Sequence, residues 1–321
     1  MEKDMRYYVQ ITGDRMLDNI EKSHELTEEL IKEYELFREK SNNSDICIVA
    51  SGSSLNAALS AFMFIKNFSG VNVEIISAGD CIDYNQNLIQ NSFVILVSQS
   101  GCSTNMIQVA KRLNDLDRPF VVLTGNVEAE LSRYSDCVIE YGVGNEIIDY
   151  VTLGFSTLIL YFMLFSLEIG RKNKTISGKY YTKIRNQMKK ACEINCELAN
   201  TSDEWIHKWF YDFLAMEKVI IVADGANMGI AREAALKFQE TLKVLSAYYE
   251  REEYIHGPNM QLTPAYSVFF IDTNPNHNRM YDVYEATRLV TKNVYYISNK
   301  NEITERGLCI EGNSSDRISI A

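Results

Sequence analysis

ICIVASGSSLNAAL (residues 46–59) opens with five apolar residues, then gives Ser51, Gly52 and two more serines before apolar positions resume at helical spacing. An apolar run of that length is a buried strand. A glycine just past its end marks a strand-to-helix turn, where the backbone takes a left-handed angle or comes close to a ligand. The pattern recurs in VIIVADGANMGIAR (residues 219–232), where five strand residues and one further residue again precede a glycine, Gly225. Two copies of one architecture are therefore expected.

Working outward from the first copy, VNVEII (71–76), FVILVS (93–98), FVVLTG (120–125) and CVIEYG (137–142) alternate with helical stretches. Around the second copy lie LSAYY (245–249), SVFFID (267–272) and NVYYIS (293–298). Strands that alternate with helices form a parallel sheet covered on both faces. The fold class is thus α/β, with two doubly wound, flavodoxin-like domains in tandem. An amphipathic arm precedes them in residues 1–43, with Met16, Ile20, Leu26, Leu30, Ile31 and Leu36 at helical spacing. The first domain is expected over 44–175 and the second over 176–321. A Lys-, Asn- and Ser-rich stretch from Gly170 to Lys190 reads as the linker, followed by a helix.

At 321 residues, 46% hydrophobic and 23% charged, the composition is globular. A net charge of -11 argues against a nucleic-acid partner, because neutralising phosphates takes an excess of Lys and Arg. MEKDMRYYVQ, at the N-terminus, lacks the apolar core of a signal peptide, and seven cysteines are an odd number without disulfide spacing. A reduced, cytoplasmic protein is expected. Cys192 and Cys196 have only four scattered histidines for company (His24, His207, His256, His277), so neither metal nor cofactor is expected. The run Tyr150–Leu167 is 18 residues without a charge, the lower edge of membrane-spanning length. Its internal Thr152, Gly154, Ser156, Thr157 and Ser166, and the lack of a basic N-terminal flank, point to a core or interface helix and no membrane.

The third strand runs into Ser98-Gln99-Ser100-Gly101-Cys102-Ser103-Thr104-Asn105, and a helical pattern (Met106, Ile107, Val109, Ala110, Leu113) begins at once. Hydroxyls and free backbone N–H groups meet there at a helix N-terminus. Such a terminus holds a phosphate dianion without a lysine. Ser53 and Ser54 follow the first strand, and both loops open at the carboxyl ends of a parallel sheet, where they can converge on one ligand. Further along, Glu233, Lys237 and Glu240 fall at i, i+4 and i+7, on one helical face. Glu233 and Lys237 also have the spacing of an exposed salt bridge. Glu240 and the later His256-Gly257-Pro258 supply a carboxylate and an imidazole suited to moving protons near neutral pH.

With these residues placed, the chain resembles the sugar isomerase (SIS) domain family from about Ile46 to Ser298. Within it the likeness is to the isomerase half of glucosamine-6-phosphate synthase and to fructosamine-6-phosphate deglycases. The motifs are Gly52-Ser53-Ser54, Ser98-Gln99-Ser100-Gly101 with Ser103, Glu146 before the apolar run, Glu233 to Glu240, and His256-Gly257-Pro258. The resemblance implies a sugar phosphate between two SIS-type domains, its phosphate held by Ser54, Ser98, Gln99, Ser100 and Ser103. It implies Glu240 as the base at C1–C2, His256 as the acid-base group for ring opening and Lys237 as an active-site lysine. Glu146, Gly225 and Glu233 are further substrate-site positions. In the family the histidine loop usually serves a neighbouring subunit, which implies a homodimer.

Departures from the family pattern are also legible. No glutamine-amidotransferase activity is expected of these 321 residues, whose last lysine is Lys300, and the stretch up to Ala321 reads as shorter than the family's usual C-terminal end. Asp149, Tyr150 and Val151 stand where the family has small and hydroxyl residues, and Cys102 replaces an acidic residue. The expected activity is a deglycase, isomerase or deaminase acting on a phosphorylated amino sugar or ketosamine. A silent sugar-phosphate sensor and a plain aldose-ketose isomerase remain as alternatives.

Overall fold

The computed structural model describes residues 5–41, 43–84, 91–144, 146, 151–273, 278–299 and 304–310. Asp149, Tyr150, His277, Lys300 and the side chain of Cys196 lie outside them. Internal contacts divide the chain into a unit spanning Asp14–Asn186 and a second made of Met1–Gly13 with Gln187–Ala321.

The Asp14–Asn186 unit holds most of α1 (Met5–Glu21), then α2 (Ser23–Ser41), β1 (Ile46–Ala50), α3 (Gly52–Phe68), β2 (Val73–Ser77) and α4 (Ala78–Asp83). It continues with β3 (Phe93–Ser98), α5 (Thr104–Asp115), β4 (Phe120–Thr124), β5 (Cys137–Glu140) and α6 (Leu153–Lys172). The strands form one parallel sheet in the order β2-β1-β3-β4-β5. Every residue of β1, β3 and β4 is buried, as continuous apolar strands covered on both faces must be. Cys47, Val49, Val94, Leu96 and Val122 pack on one face against Met106, Val109, Ala110 and Leu113 of α5.

α6 answers to the first of the two readings of its apolar run. Fourteen of its twenty residues are buried, and it lies against α3 and α2 within its own unit. Its uncharged surface is core of that unit. The approach to α3 is close because Gly170 carries no side chain: a Cβ there would stand 2.1 Å from the Phe68 carbonyl oxygen.

The second unit repeats the design. α7 (Gly178–Lys208) runs into it, followed by α8 (Phe210–Leu214), β6 (Lys218–Ala223), α9 (Asn227–Lys237), β7 (Leu245–Glu250), α10 (Arg251–Ile255), β8 (Tyr266–Asp272), α11 (Arg279–Arg288), β9 (Val294–Ser298) and β10 (Gly307–Cys309). Its sheet, again parallel, has the order β10-β9-β8-β6-β7. Read from the other edge, this is the strand order of the first sheet. Side chains alternate along β6. Val219 and Ile221 face Ala231 and Ala235 of α9, while Ile220 and Val222 face Met280, Val283 and Tyr284 of α11.

Two readings change here. Lys- and Asn-rich as it is, the stretch read as a linker is helical from Gly178 onward. Ile184, Met188 and Cys192 fall four apart and are buried, so α7 has an anchored face that its charged residues mask in the sequence. β10 went unrecognised because three residues carry no period.

Candidate functional site

β1 and β3 are neighbours in the first sheet, and the chain leaves them for α3 and α5 at their carboxyl ends, where the strand order reverses. Ligands of doubly wound sheets bind in that crevice. Gly52 makes the first turn at φ +55°, and nothing lies within 4 Å of where its Cβ would stand. Conformation, not crowding, requires glycine. Gly225, at φ +54° and equally open, repeats the turn after β6.

A cavity of about 610 Å³ opens over the two turns. Ser53, Ser54, Ser98, Gln99, Ser100, Ser103 and Glu146 line it, as the sequence motifs anticipate. Gly52 does not line it and acts through the turn alone. Ser51, Asn126, Gly144 and Val151 also line it, though no motif pointed to them. Ser51 was legible as the residue before the turn, and Asn126 as the Gly-Asn pair that ends β4. No lysine or arginine is among the described residues that line the cavity.

The hydrogen bonds show how the loops are held. Ser98 Oγ donates to Ser103 Oγ at 3.3 Å, and Ser103 side chain caps no amide of α5 although it occupies the cap position. The partial positive charge of that helix terminus is therefore left facing the cavity. Ser100 Oγ accepts from the Cys102 amide at 3.2 Å, and Asn105 Nδ2 donates to Ser51 Oγ at 2.8 Å, joining the starts of α3 and α5. The Gln99 carbonyl accepts from the Gly125 amide at 2.9 Å and from Thr124 Oγ1 at 3.3 Å. Gln99 Nε2 donates to Glu146 Oε2 at 2.9 Å. Glu146 in turn accepts from the amides of Thr152, Leu153 and Gly154 at 3.3, 3.4 and 2.8 Å, so its carboxylate closes the N-terminus of α6.

In the second unit, α9 ends in a wider turn over Phe238–Leu242 that carries Glu240. Turns of this kind interrupt helices mostly at functional positions. Lys237 Nζ stands 3.3 Å from Glu233 Oε1 and 2.7 Å from Glu240 Oε2. The Glu233 side chain is 7% exposed, against 25% for Lys237 and 34% for Glu240. An exposed salt bridge does not describe this: the Glu233 carboxylate is buried beneath the Lys237 ammonium and anchors it. Lys237 then presents Glu240 at the surface of the unit. His256 follows α10, its amide donating to the Glu253 carbonyl at 3.2 Å, and its imidazole is exposed. Arg251 at the start of α10 pairs with Asp224 at 2.7 Å, tying the histidine segment to the Gly225 turn, a link that sequence spacing did not reveal.

Comparison with known proteins agrees with this fold. Residues 40–168 and 213–304 match the family model of the SIS domain. Glutamine–fructose-6-phosphate aminotransferase (isomerizing) of Caldanaerobacter subterraneus subsp. tengcongensis is 25% identical over 212 residues, 66% of this chain and 35% of that protein. The chain thus spans about a third of that relative's length. Among solved structures, a Clostridium difficile 630 protein provisionally assigned as a phosphosugar isomerase has a TM-score of 0.84 at 23% identity, over 98% of this chain and 88% of the other. The C-terminal domain of glucosamine-fructose-6-phosphate aminotransferase from Francisella tularensis has a TM-score of 0.80 at 19% identity, over 94% of this chain and 86% of the other.

Proposed function

The chain belongs to the SIS domain family, and from that premise we propose that it binds a sugar phosphate in the serine-lined cavity and moves a proton between C1 and C2 of the sugar. One observation carries the reading. Six serines, Ser51, Ser53, Ser54, Ser98, Ser100 and Ser103, and the first turns of α3 and α5 meet in a cavity with no lysine or arginine among the described residues that line it. Hydroxyls and helix dipoles suit a phosphate dianion in such a place.

The reaction follows from the side chains assigned to it. His256 passes a proton from the anomeric hydroxyl to the ring oxygen, which opens the ring. Glu240 takes the proton from the carbon beside the carbonyl and returns it to the neighbouring carbon, through an enediol or enaminol. For a ketosamine this gives an imine at C1, which water cleaves to an aldose phosphate and a free amine. Lys237 holds Glu240, and in this reading its ammonium meets the developing oxyanion. The reading includes a homodimer in which His256 serves the partner's site, supported by the exposure of that imidazole.

Glu240→Gln keeps size and hydrogen bonding but removes the base. Turnover of fructosamine-6-phosphates or glucosamine-6-phosphate, and exchange of the C1 or C2 hydrogen with D2O followed by NMR, should fall about 10²-fold or more, with binding within severalfold. Equal exchange in both proteins would remove Glu240 as the base. Binding without turnover of any phosphosugar would favour the sensor.

A further inference from the structure

Glu146 lines the cavity, yet its carboxylate is already spent. Oε2 takes the Gln99 amide at 2.9 Å and the Gly154 amide at 2.8 Å, and the Thr152 and Leu153 amides complete the set at 3.3 and 3.4 Å. A carboxylate that holds three amides of a helix N-terminus is fixed in place. Gln99 is fixed from both ends, because its backbone carbonyl is bound by Gly125 and Thr124. Its Oε1 is buried without a hydrogen-bond partner among the described residues and lies over Gly154, where a Cβ would stand 2.1 Å from it. A glycine at the start of α6 therefore makes room for this side chain.

The amide has a second orientation, reached by turning it over. Doing so would bring an oxygen against the Glu146 carboxylate, so the carboxylate selects the orientation and keeps Nε2 inward. We propose that Glu146 is a positioning residue: it fixes the side chain of Gln99 at the cavity wall and so sets the Ser98–Ser103 loop in its phosphate-binding shape. The inference rests on the reading of the cavity as a phosphate site. A negative charge on the wall would by itself weaken phosphate binding, so the carboxylate's benefit has to be geometric.

A charge exchange separates these effects. Gln99→Glu sets two carboxylates against each other, and the loop should open. Glu146→Gln combined with Gln99→Glu restores one carboxylate, one amide and the net charge, with donor and acceptor reversed. Inorganic phosphate and fructose 6-phosphate binding are measured by calorimetry on the full chain, with thermal unfolding recorded for each variant. Gln99→Glu should weaken both ligands more than tenfold, and the double variant should recover to within about threefold of wild type. A merely structural role would restore the melting temperature without restoring affinity. Affinity unchanged in Gln99→Glu, or no better in a folded double variant than in Gln99→Glu, overturns the proposal. Wild-type protein that binds neither ligand removes the phosphate reading itself, and the positioning role with it.

Discussion

At the scale of single residues, burial sets the protein's response to pH. Cys47, Cys81 and Tyr34 are almost wholly buried, and burial pushes their acidities up to about 12, about 11 and about 12. Tyr34 also donates its hydroxyl to the Ser44 carbonyl at 2.7 Å. Each group stays protonated in the folded chain at a pH where the unfolded chain has already ionised. The unfolded state then holds fewer protons, so stability falls as pH rises. Their contribution is fully present below about pH 9, is lost from there for the thiols and from about pH 10 for the tyrosine, and is gone near pH 12. Each group adds a slope of about 1.4 kcal/mol per pH unit inside its window. Urea unfolding at pH 8, 9.5 and 10.5 should show a midpoint that drops progressively, and Cys47→Ala should flatten that slope. A pH-independent midpoint would contradict the burial of these groups.

At the scale of elements, the packing of α6 on α3 depends on a missing side chain. Gly170→Ala improves helix propensity by up to about 1 kcal/mol. The added methyl would stand 2.1 Å from the Phe68 carbonyl oxygen and 3.1 Å from Thr175 Oγ1. Backbone cannot swing aside as a flexible side chain can, so the helices must separate, at a net cost of about 1–3 kcal/mol. Chemical denaturation of Gly170→Ala should show this loss, whereas a gain in stability would mean that α3 and α6 do not approach so closely. The charged face of α7 teaches a related lesson. Its buried Ile184, Met188 and Cys192 are three residues among many lysines, so composition alone suggested a linker.

At the scale of the whole molecule, the proposed dimer makes a quantitative prediction. Glu240→Gln and His256→Ala are each expected to be inactive. If His256 serves the partner's site, a mixed dimer has one site with both defects and one with none. Random exchange makes half of the dimers mixed, so about a quarter of wild-type activity should return on co-refolding. Histidine acting within its own subunit leaves one defect in every site and returns nothing. Light scattering on the same samples reports whether a dimer forms.

Sequence by itself determined the doubly wound class, because apolar runs and the glycines at 52 and 225 are local signals of a buried strand and its turn. The serines of the proposed phosphate loop were legible for the same reason: they sit within six residues of a strand end. Tertiary structure alone decided that the run from Leu153 to Leu167 packs as core of its unit, since an apolar surface does not say what covers it. It alone showed Glu146 closing the start of α6 and gripping Gln99, 47 residues away in the chain. It alone showed Glu233 buried beneath Lys237. Hydrogen-bond partners across such separations are chosen by where the backbone brings them, and no spacing along the chain encodes that choice.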